Sequence, residues 1–182
     1  MSPRTMTRGL LLTMTEPPAA MDEEFNAWYD AEHIPERLSI SGFRSARRWV
    51  ADCKPGEGKY LATYELDSPA VLQSPEYLAR YAGATPWTRR CLGRCVLFKR
   101  WACEQVQPGN GDAHPLAKAL LLLTGEQGID VPSIAGALQV RRFVASAGEP
   151  RHIALIELGS ASPRLPAAQP GALMRVYRDY AA

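Results

Sequence analysis

Four short segments of this chain occur twice and in the same order, so its 182 residues contain an internal repeat. A repeat of this kind predicts two copies of one supersecondary unit. All eight segments are short and strand-like. A chance match among strand-like segments is the alternative interpretation. The matching pairs are LLLT at 10–13 and 121–124, SARRWVA at 45–51 with QVRRFVA at 139–145, KYLATYEL at 59–66 with RHIALIEL at 151–158, and FKRWA at 98–102 with YRDYA at 177–181.

The second copy is shorter than the first, and the missing residues fall where the first copy has helical patterns. Residues 21–32 combine helical spacing with early acidic residues, which predicts a helix that Pro35 ends. Residues 70–81 predict a second helix, and the Pro/Gly-bearing turn at 55–58 joins two strands. The helically spaced side chains are Met21, Phe25, Trp28, Tyr29 and Glu32 in the first helix, and Leu72, Tyr77, Leu78 and Tyr81 on the expected inner face of the second.

The first copy therefore has the order β-α-β-β-α-β, which is that of a ferredoxin-like unit. This α+β unit has an antiparallel sheet with helices on one face, and its other apolar face needs a cover. We expect the second copy to pack against that face. The predicted domains are a first repeat at 1–106 that carries the candidate site, a flexible linker at 107–116, and a degenerate second repeat at 117–182 with missing or shortened helices.

Composition excludes several classes of protein. Lys and Arg together number 21 against 19 Asp and Glu, so a nucleic-acid partner is not expected. The longest early apolar run, 9–12, is too short for a membrane span or a signal peptide. The four cysteines have no zinc-ligand spacing, which favours reduced thiols in a cytoplasmic protein and predicts no metal site.

The densest group of reactive side chains is WYDAEHIPER at 28–37. His33 titrates nearest neutrality and is the candidate general acid or base. It follows Tyr29 by four residues and so shares a helix face with it. The dipole of a helix C-terminus would raise the pKa of His33. The alternative is that His33 caps the helix or packs, and that Trp28 and Tyr29 belong to the core.

Other candidates for substrate binding lie outside this segment. Strand alternation places Tyr64 on one face with Tyr60, Ala62 and Leu66, where its hydroxyl can reach a ligand or simply pack. Arg48 is a candidate clamp for a carboxylate. The Arg-Arg pairs at 47–48 and 141–142, with Glu65 and Glu157, also fit a repeated cross-strand ion pair. Trp87, expected in a loop, either closes a pocket or covers a sheet edge.

Residues 9–103, and above all EFNAWYDAEHIPERLSISGFRSARRWV, resemble the dimeric α+β barrel superfamily, close to its EthD-like and uncharacterised bacterial members. The resemblance implies that two ferredoxin-like units pair their sheets into a barrel, here within one chain as a self-closed pseudo-dimer. It implies a ligand pocket between sheet and helices, and His33 matches a histidine that several relatives use. The second copy lacks the first helix and its histidine, so a second active site is not expected.

The resulting hypothesis is an enzyme without metal or cofactor, an isomerase or cyclase, which moves protons on a small carbonyl-bearing or aromatic-derived metabolite. His33 is its expected catalytic residue, and the expected substrate-binding residues are Trp28, Tyr29, Tyr64, Arg48 and Trp87. A non-catalytic ligand-binding or accessory protein is the first alternative. A monooxygenase, cofactor-free or haem-dependent with His33 or His152 as axial ligand, is the second. Further dimerisation of the chain stays open.

Overall fold

Eight antiparallel strands close into one barrel within a single chain. A computed structural model describes residues 7–167 and 171–181. The strands pair in the closed order β1-β3-β2-β8-β5-β7-β6-β4. The predicted α+β barrel is therefore confirmed at the level of its architecture. The strands are β1 Gly9–Glu16, β2 Phe43–Val50, β3 Tyr60–Leu66, β4 Leu97–Gln107, β5 Ala119–Gly125, β6 Ala137–Ala147, β7 His152–Leu158 and β8 Leu173–Asp179.

The two halves of the barrel, β1–β4 and β5–β8, have the same strand order. The first half reads β4-β1-β3-β2 and the second reads β8-β5-β7-β6. Two seams join the halves: β4 pairs with β6 over 102–107, whereas β2 and β8 share only the pairs Trp49 with Asp179 and Val50 with Arg178. Each half is thus a four-stranded sheet whose edges are closed by the other.

Not all of the repeated segments occupy equivalent places in the two sheets. Ser45 and Gln139 lie opposite Glu65 and Glu157, as the sequence match requires. In the first strand of each half, however, Leu10 pairs with Glu65 whereas Leu120 pairs with Glu157, so LLLT at 121–124 is shifted by one residue. A run of leucines matches itself in any register, and a one-residue slip exchanges the inner and outer faces.

The match between FKRWA and YRDYA is also out of place. Cys103 lies opposite Leu10, and Tyr177 lies opposite Leu120. Tyr177 is therefore the counterpart of Cys103 rather than of Phe98. Short aromatic and basic matches near a strand end carry too little information to fix the register.

One continuous helical region crosses the outer face of the first half, from 22 to 38. It consists of α1 Asp22–Trp28, a π-helical turn Tyr29–His33 and α2 Ile34–Leu38. The prediction that Pro35 ends the helix is wrong. The Ile34 N–H donates to the Tyr29 carbonyl across the wider turn, and Pro35 then lies in the first turn of α2, where a missing N–H costs nothing.

The second helical region is divided rather than continuous. A 3₁₀ turn covers 69–73, and α3 Pro75–Ala82 and α4 Pro86–Gly93 follow. The side chain of Ser74 accepts from the N–H of Tyr77 and caps α3, and Thr85 caps α4 in the same way through Thr88. A proline follows each capping residue, at a position that favours a helix start.

These boundaries change which side chains face inward. Leu72 and Tyr77 are buried as predicted, but Leu78 is 47% exposed and Tyr81 is 63% exposed. The extended backbone of Ser74 breaks the helical period, so residues after it follow a new phase. Trp87 lies in α4, not in a loop.

Three apolar clusters stabilise the molecule. The first fills the barrel and is built from both halves, with Trp49 and Trp101 among its largest side chains. The second lies between the helices and the outer face of β1–β4. The third lies on the outer face of β5–β8, where the segment 126–136 covers it with Ile129, Val131 and Ile134. Within 7–167 and 171–181, every helix belongs to the first half.

The segment between the halves, the predicted flexible linker, lies across one end of the barrel and is hydrogen-bonded to it. The side-chain amide of Gln105 both donates to and accepts from Gly111, and the N–H of His114 donates to Glu157. The Arg8 N–H donates to the Gly109 carbonyl. These bonds give the backbone of the segment partners that a free linker would find in water.

A buried ionic triad lies inside the barrel near that end. Arg141 donates to both oxygens of Glu65 at 2.8 and 2.9 Å and to Glu157 at 3.0 and 2.6 Å. The expected repeated ion pair is thus formed in the second half, but Arg47 pairs with Asp179 instead of Glu65. Glu65 instead joins the two halves through Arg141.

None of the helices within the described ranges has the length and apolar character needed to cross a membrane.

Candidate functional site

His33 lies between the helical region and the outer face of β3, surrounded by aromatic rings. Its side chain is 8% exposed. The ring centroid of Trp28 is 4.4 Å from that of His33, Tyr29 lies edge-on at 5.1 Å, and Tyr64 lies edge-on at 6.2 Å. The predicted alternation places Tyr64 on this outer face, as observed. Four of the six candidate residues, His33 included, are therefore neighbours.

Polar atoms without partners concentrate at this interface. Among the described residues, four buried side-chain nitrogen or oxygen atoms lack a hydrogen-bond partner, and three are His33 Nδ1, Tyr64 Oη and Arg37 Nη1. Each unpaired buried polar atom costs about 1–3 kcal/mol. Arg37 follows His33 by one helical turn, and Tyr64 approaches the imidazole from β3. We call His33, Arg37 and Tyr64 the His33 cluster.

The surroundings of His33 lower its pKa instead of raising it. Burial is the main cause, the positive charges of Arg37 and Arg48 add to it, and the pKa falls from 6.5 to about 3. The expected helix-end effect is wrong because the helix continues to Leu38, so no free carbonyls surround the imidazole. His33 is therefore a neutral imidazole at physiological pH, with one nitrogen free to accept a proton or hydrogen bond.

Both tyrosines beside His33 remain protonated. Burial raises the pKa of Tyr29, and the Thr13 hydroxyl, 3.4 Å from its oxygen, opposes that rise. Burial raises the pKa of Tyr64 well above 10, and Tyr29 raises it further. The Tyr64 hydroxyl is thus a neutral donor, and it is buried beneath the helices.

Trp28 is held in place by a carboxylate. Its indole N–H donates to Glu32 Oε1 at 3.2 Å and to Thr88 Oγ1 at 3.1 Å. The same Glu32 oxygen accepts from the hydroxyls of Thr85 and Thr88. Glu32 thereby links α1 and the π turn to α4 and fixes the ring that stacks on His33.

Arg48 is buried but fully engaged. It donates to Asp30 Oδ1 at 3.0 Å and to Asn26 Oδ1. Its guanidinium also stacks over Tyr29 and Tyr180, at 4.4 and 4.0 Å from the ring centroids. The structure therefore gives Arg48 partners of its own, next to a shallow cleft of about 290 Å³.

Trp87 lies apart from the polar atoms of the site. It is half-buried and packs against the apolar cluster beneath the helices. It does not line the cleft next to Arg48, the cleft between α2, α3 and α4, or the cleft beside Glu16. Its role as a substrate-binding residue stays a prediction.

A cleft of about 390 Å³ opens between the end of α2 and the helices α3 and α4; we call it the α3-α4 cleft. Arg37 and Thr88 are its buried lining residues, at 5% and 3% exposure. Arg37 belongs to the His33 cluster, and Thr88 bonds the indole that stacks on His33. Sequence reasoning missed Arg37 and Thr88; the Thr85-Pro86 helix start was the signal for α4.

Another cleft, of about 610 Å³, lies at the opposite end of the barrel from the anchored segment. Three of its charged side chains, Glu16, Asp22 and Lys59, have partners within the protein. Glu16 accepts from the N–H groups of Gly56 and Gly58, and Lys59 donates to Asp22 at 2.9 Å. This cleft lacks the unpaired buried atoms that distinguish the His33 cluster.

Neither metal nor haem has a matching set of ligands at the site. Within the described ranges, no three His, Cys, Asp or Glu side chains group as a metal site would require. The four cysteines are free, and burial raises the pKa of Cys103 to about 12. The rings of Trp28, Tyr29 and Tyr64 surround His33 at centroid distances of 4.4, 5.1 and 6.2 Å.

Comparisons with known proteins support the fold. No protein-family model matches the sequence, and no curated protein matches it. A solved structure described as an anthrone oxidase-like protein is similar to the chain with a TM-score of 0.59 and 10% sequence identity, over 97% of this chain and 92% of that chain. At that identity the likeness concerns the fold alone. The chain thus shares an α+β barrel architecture with that protein along nearly its whole length.

Proposed function

We propose that the chain is an enzyme of the α+β barrel type that moves a proton on a small carbonyl-bearing or aromatic metabolite. We further propose that its halves are two ferredoxin-like units in tandem, the first of which carries the site. The observation that carries this function is the presence of three unpaired buried polar atoms on the residues of one cluster, His33, Arg37 and Tyr64. A ligand that bonds all three would remove their desolvation cost.

The three groups are complementary to an enolisable carbonyl. Tyr64 is a donor, which suits a carbonyl oxygen that gains negative charge, and Arg37 is a cation that suits an anionic ligand. Neutral His33 is the acceptor for a proton on the adjacent carbon. In this step the C–H bond breaks, the proton moves to the imidazole, and the electron pair is delocalised onto the oxygen as an enolate. Return of the proton to another carbon completes an isomerisation without an oxidant.

The low pKa of His33 fits this role when the ligand is present. Arg37 is the first of the two cations that lower it after burial. Negative charge on the ligand oxygen beside Arg37 offsets that cation and makes the imidazole a stronger base. Proton affinity at His33 therefore rises as the enolate forms.

The α3-α4 cleft is the proposed route to the site. Arg37 and Thr88 line it and are also in contact with the groups that surround His33. Since His33 itself does not line the cleft, a shift of the Arg37 side chain accompanies binding in this proposal. An arginine side chain with few bonds can make such a shift.

A second candidate function is oxidation of a tricyclic aromatic ketone by O2. It is favoured by the name of the structural neighbour, an anthrone oxidase-like protein. The first step is the same deprotonation by His33. The carbanion then reacts with O2, so that the methylene becomes a ketone that keeps one oxygen atom while the other leaves as water.

Anthrone, an aromatic ketone with an acidic methylene group, tests both candidates. Under nitrogen in D2O, NMR follows exchange of its methylene protons; in air, an electrode follows O2 uptake. We expect the protein to accelerate exchange, and His33→Gln to reduce that acceleration by about 10² to 10⁴-fold. Faster O2 uptake in air would favour the oxidase over the isomerase.

Thr7→Ala, a change at an exposed site away from the His33 cluster, is the control and should exchange as fast as the unchanged protein. Tyr64→Phe should give an intermediate rate because one oxyanion donor is removed. Exchange of anthrone that is equal in the unchanged protein and in His33→Gln would contradict proton transfer by His33.

A further inference from the structure

We infer that the α3-α4 cleft binds a carboxylate of the ligand, so that the substrate class is a small aromatic or carbonyl-bearing acid. This inference rests on the proposed function for the reaction, but the binding site is argued from the cleft itself. Its key group is the guanidinium of Arg37, which lines the cleft and is 5% exposed. Arg37 Nη1 has no hydrogen-bond partner within the described ranges.

Arg37 differs from the other buried arginines. Arg48 and Arg141 are equally buried, and both donate short bonds to side-chain oxygens of their neighbours. Among the described residues Arg37 forms an ion pair with Glu36, whose carboxylate is 3.8 Å from Nη2 and so too far for a hydrogen bond, and its guanidinium lies 5.5 Å from the ring centroid of Tyr77. A buried cation with an unused donor is costly unless an anion completes it. Arg37 is thus a buried arginine whose Nη1 keeps an unused donor despite the ion pair with Glu36.

The other residues that line the cleft add positive charge and no negative charge. Arg89 adds a second cation, and none of the eight lining residues is acidic. Tyr81 and Leu92 supply apolar surface beside the two guanidinium groups. A volume of about 390 Å³ is in the range of small-molecule sites. The cleft therefore offers cations for an acid group and apolar surface for a ring.

A carboxylate matches these groups better than an anion with one acceptor atom does. A guanidinium presents parallel N–H donors that two carboxylate oxygens accept together. Binding there would also neutralise the charge of Arg37, which is one of the cations that lower the pKa of His33. Recognition of the acid group and strengthening of the base are thereby coupled through one residue.

Titration calorimetry with 2-naphthoate tests the inference, with 2-naphthamide as its neutral counterpart of the same shape. We expect 2-naphthoate to bind at least tenfold more tightly than 2-naphthamide. Arg37→Gln should weaken 2-naphthoate binding at least tenfold, and Arg89→Gln should weaken it less because that side chain is exposed. Arg37→Lys, which keeps the charge, should lose less affinity than Arg37→Gln and guards against a folding defect.

Arg80→Gln is the matched control, since Arg80 is an exposed arginine of α3 outside the cleft lining. It should bind 2-naphthoate like the unchanged protein. Equal binding of 2-naphthoate and 2-naphthamide, no binding of either, or unchanged affinity in Arg37→Gln would overturn the inference. Inorganic phosphate that binds as tightly as 2-naphthoate would overturn the carboxylate in favour of a phosphate group.

The two proposals can fail separately. His33→Gln should still bind 2-naphthoate, because His33 does not line the cleft. Tight 2-naphthoate binding without any exchange of anthrone by the unchanged protein would leave the carboxylate site standing and remove the proton transfer. Exchange of anthrone by a protein that binds 2-naphthoate no better than 2-naphthamide would leave the proton transfer standing and remove the carboxylate site.

Discussion

The outer faces of the two halves of the barrel have equivalent strands but opposite chemistry. On the first half, Tyr64 faces the helical region and belongs to a cluster with unpaired polar atoms. At the equivalent place on the second half, Ile156 faces the segment 126–136 and belongs to an entirely aliphatic and alanine-containing cluster. The first cover is a helix that carries His33 and Arg37; the second is an irregular segment that carries isoleucine and valine.

This difference distinguishes the apolar packing that the barrel requires from the polar groups that a functional site requires. A buried aliphatic face is sufficient to cover a sheet, as the second half demonstrates. Tyr64, His33 and Arg37 of the first half add unpaired polar atoms that a purely structural cover would avoid. Natural proteins retain such costs mainly where a function requires them. The second half is thus an internal reference against which changes in the first can be measured.

The largest effect is expected where the halves meet, at Arg141. Arg141→Met leaves the carboxylates of Glu65 and Glu157 buried without their cation, and we expect the free energy of unfolding to fall by about 3–5 kcal/mol. The equivalent first-half residue, Arg47, is partly exposed and pairs with Asp179. Arg47→Met should cost only about 1 kcal/mol. Urea unfolding at pH 7 measures both, and equal losses would contradict the asymmetry.

The next effect concerns the aliphatic cover of the second half. Ile156 is completely buried, so Ile156→Ala removes apolar contacts and leaves a cavity. We expect a loss of about 3 kcal/mol in the free energy of unfolding, with little change in ligand binding. Urea unfolding and 2-naphthoate titration of the same variant provide the two readouts. A loss of affinity as large as the loss of stability would mean that the second half contributes to the site.

A pH effect of similar or smaller size should come from His33. Its pKa is about 3 in the folded protein and 6.5 in the unfolded chain, so below pH 6.5 the unfolded chain binds a proton that the folded protein does not. Stability is therefore lost as the pH falls from 6.5 toward 3. Between pH 7 and pH 4 the loss from this residue is about 3 kcal/mol.

His33→Gln is neutral at every pH and should lack this part of the acid sensitivity. The carboxylates titrate in both proteins, so the difference between their urea-unfolding free energies at pH 7 and pH 4 isolates His33. An identical pH dependence in the two proteins would show that the folded protein does not keep His33 neutral.

The smallest effect should have the opposite sign. Tyr64→Phe removes a buried hydroxyl that makes no hydrogen bond of good geometry but interacts with the neighbouring Tyr29 hydroxyl, so the free energy of unfolding should rise by at most about 1 kcal/mol. Tyr177→Phe is the contrast, because its hydroxyl donates to the Gly58 carbonyl at 3.0 Å and its loss should destabilise. Thermal unfolding resolves both changes. A destabilised Tyr64→Phe variant would mean that the hydroxyl has a partner in solution.

The sequence predicted the parts of the fold that depend on patterns spread over many residues. Alternation placed Tyr64 and Glu65 on opposite faces of β3, and the Arg-Arg match fixed the register of β2 and β6. The prediction from sequence failed where the pattern was short or rested on a single residue. The leucine run at 121–124 fits two registers, and a single proline at 35 does not decide between a helix end and a π turn.

The site was predicted only in part for a related reason. The spacing of Trp28, Tyr29 and His33 is visible along the chain, and so is their shared position on one helix. Whether a buried polar atom has a partner depends on residues that are far apart in sequence. Arg48 and Arg37 are the same residue type, and only the fold shows that Arg48 bonds Asp30 and Asn26 whereas Nη1 of Arg37 has no hydrogen-bond partner.

The single contact between Glu65 and Arg141 has a consequence for the ancestry of such a barrel. In a symmetric pair of identical subunits each contact between them occurs twice. Here the reciprocal contact, between Glu157 and Arg47, is absent, because Glu157 shares Arg141 and Arg47 bonds Asp179. When both halves lie in one chain, the surfaces by which they meet no longer need to be self-complementary. The closure of the barrel then does not depend on protein concentration. Each half is then free to change without altering its partner, so one can specialise while the other serves as scaffold.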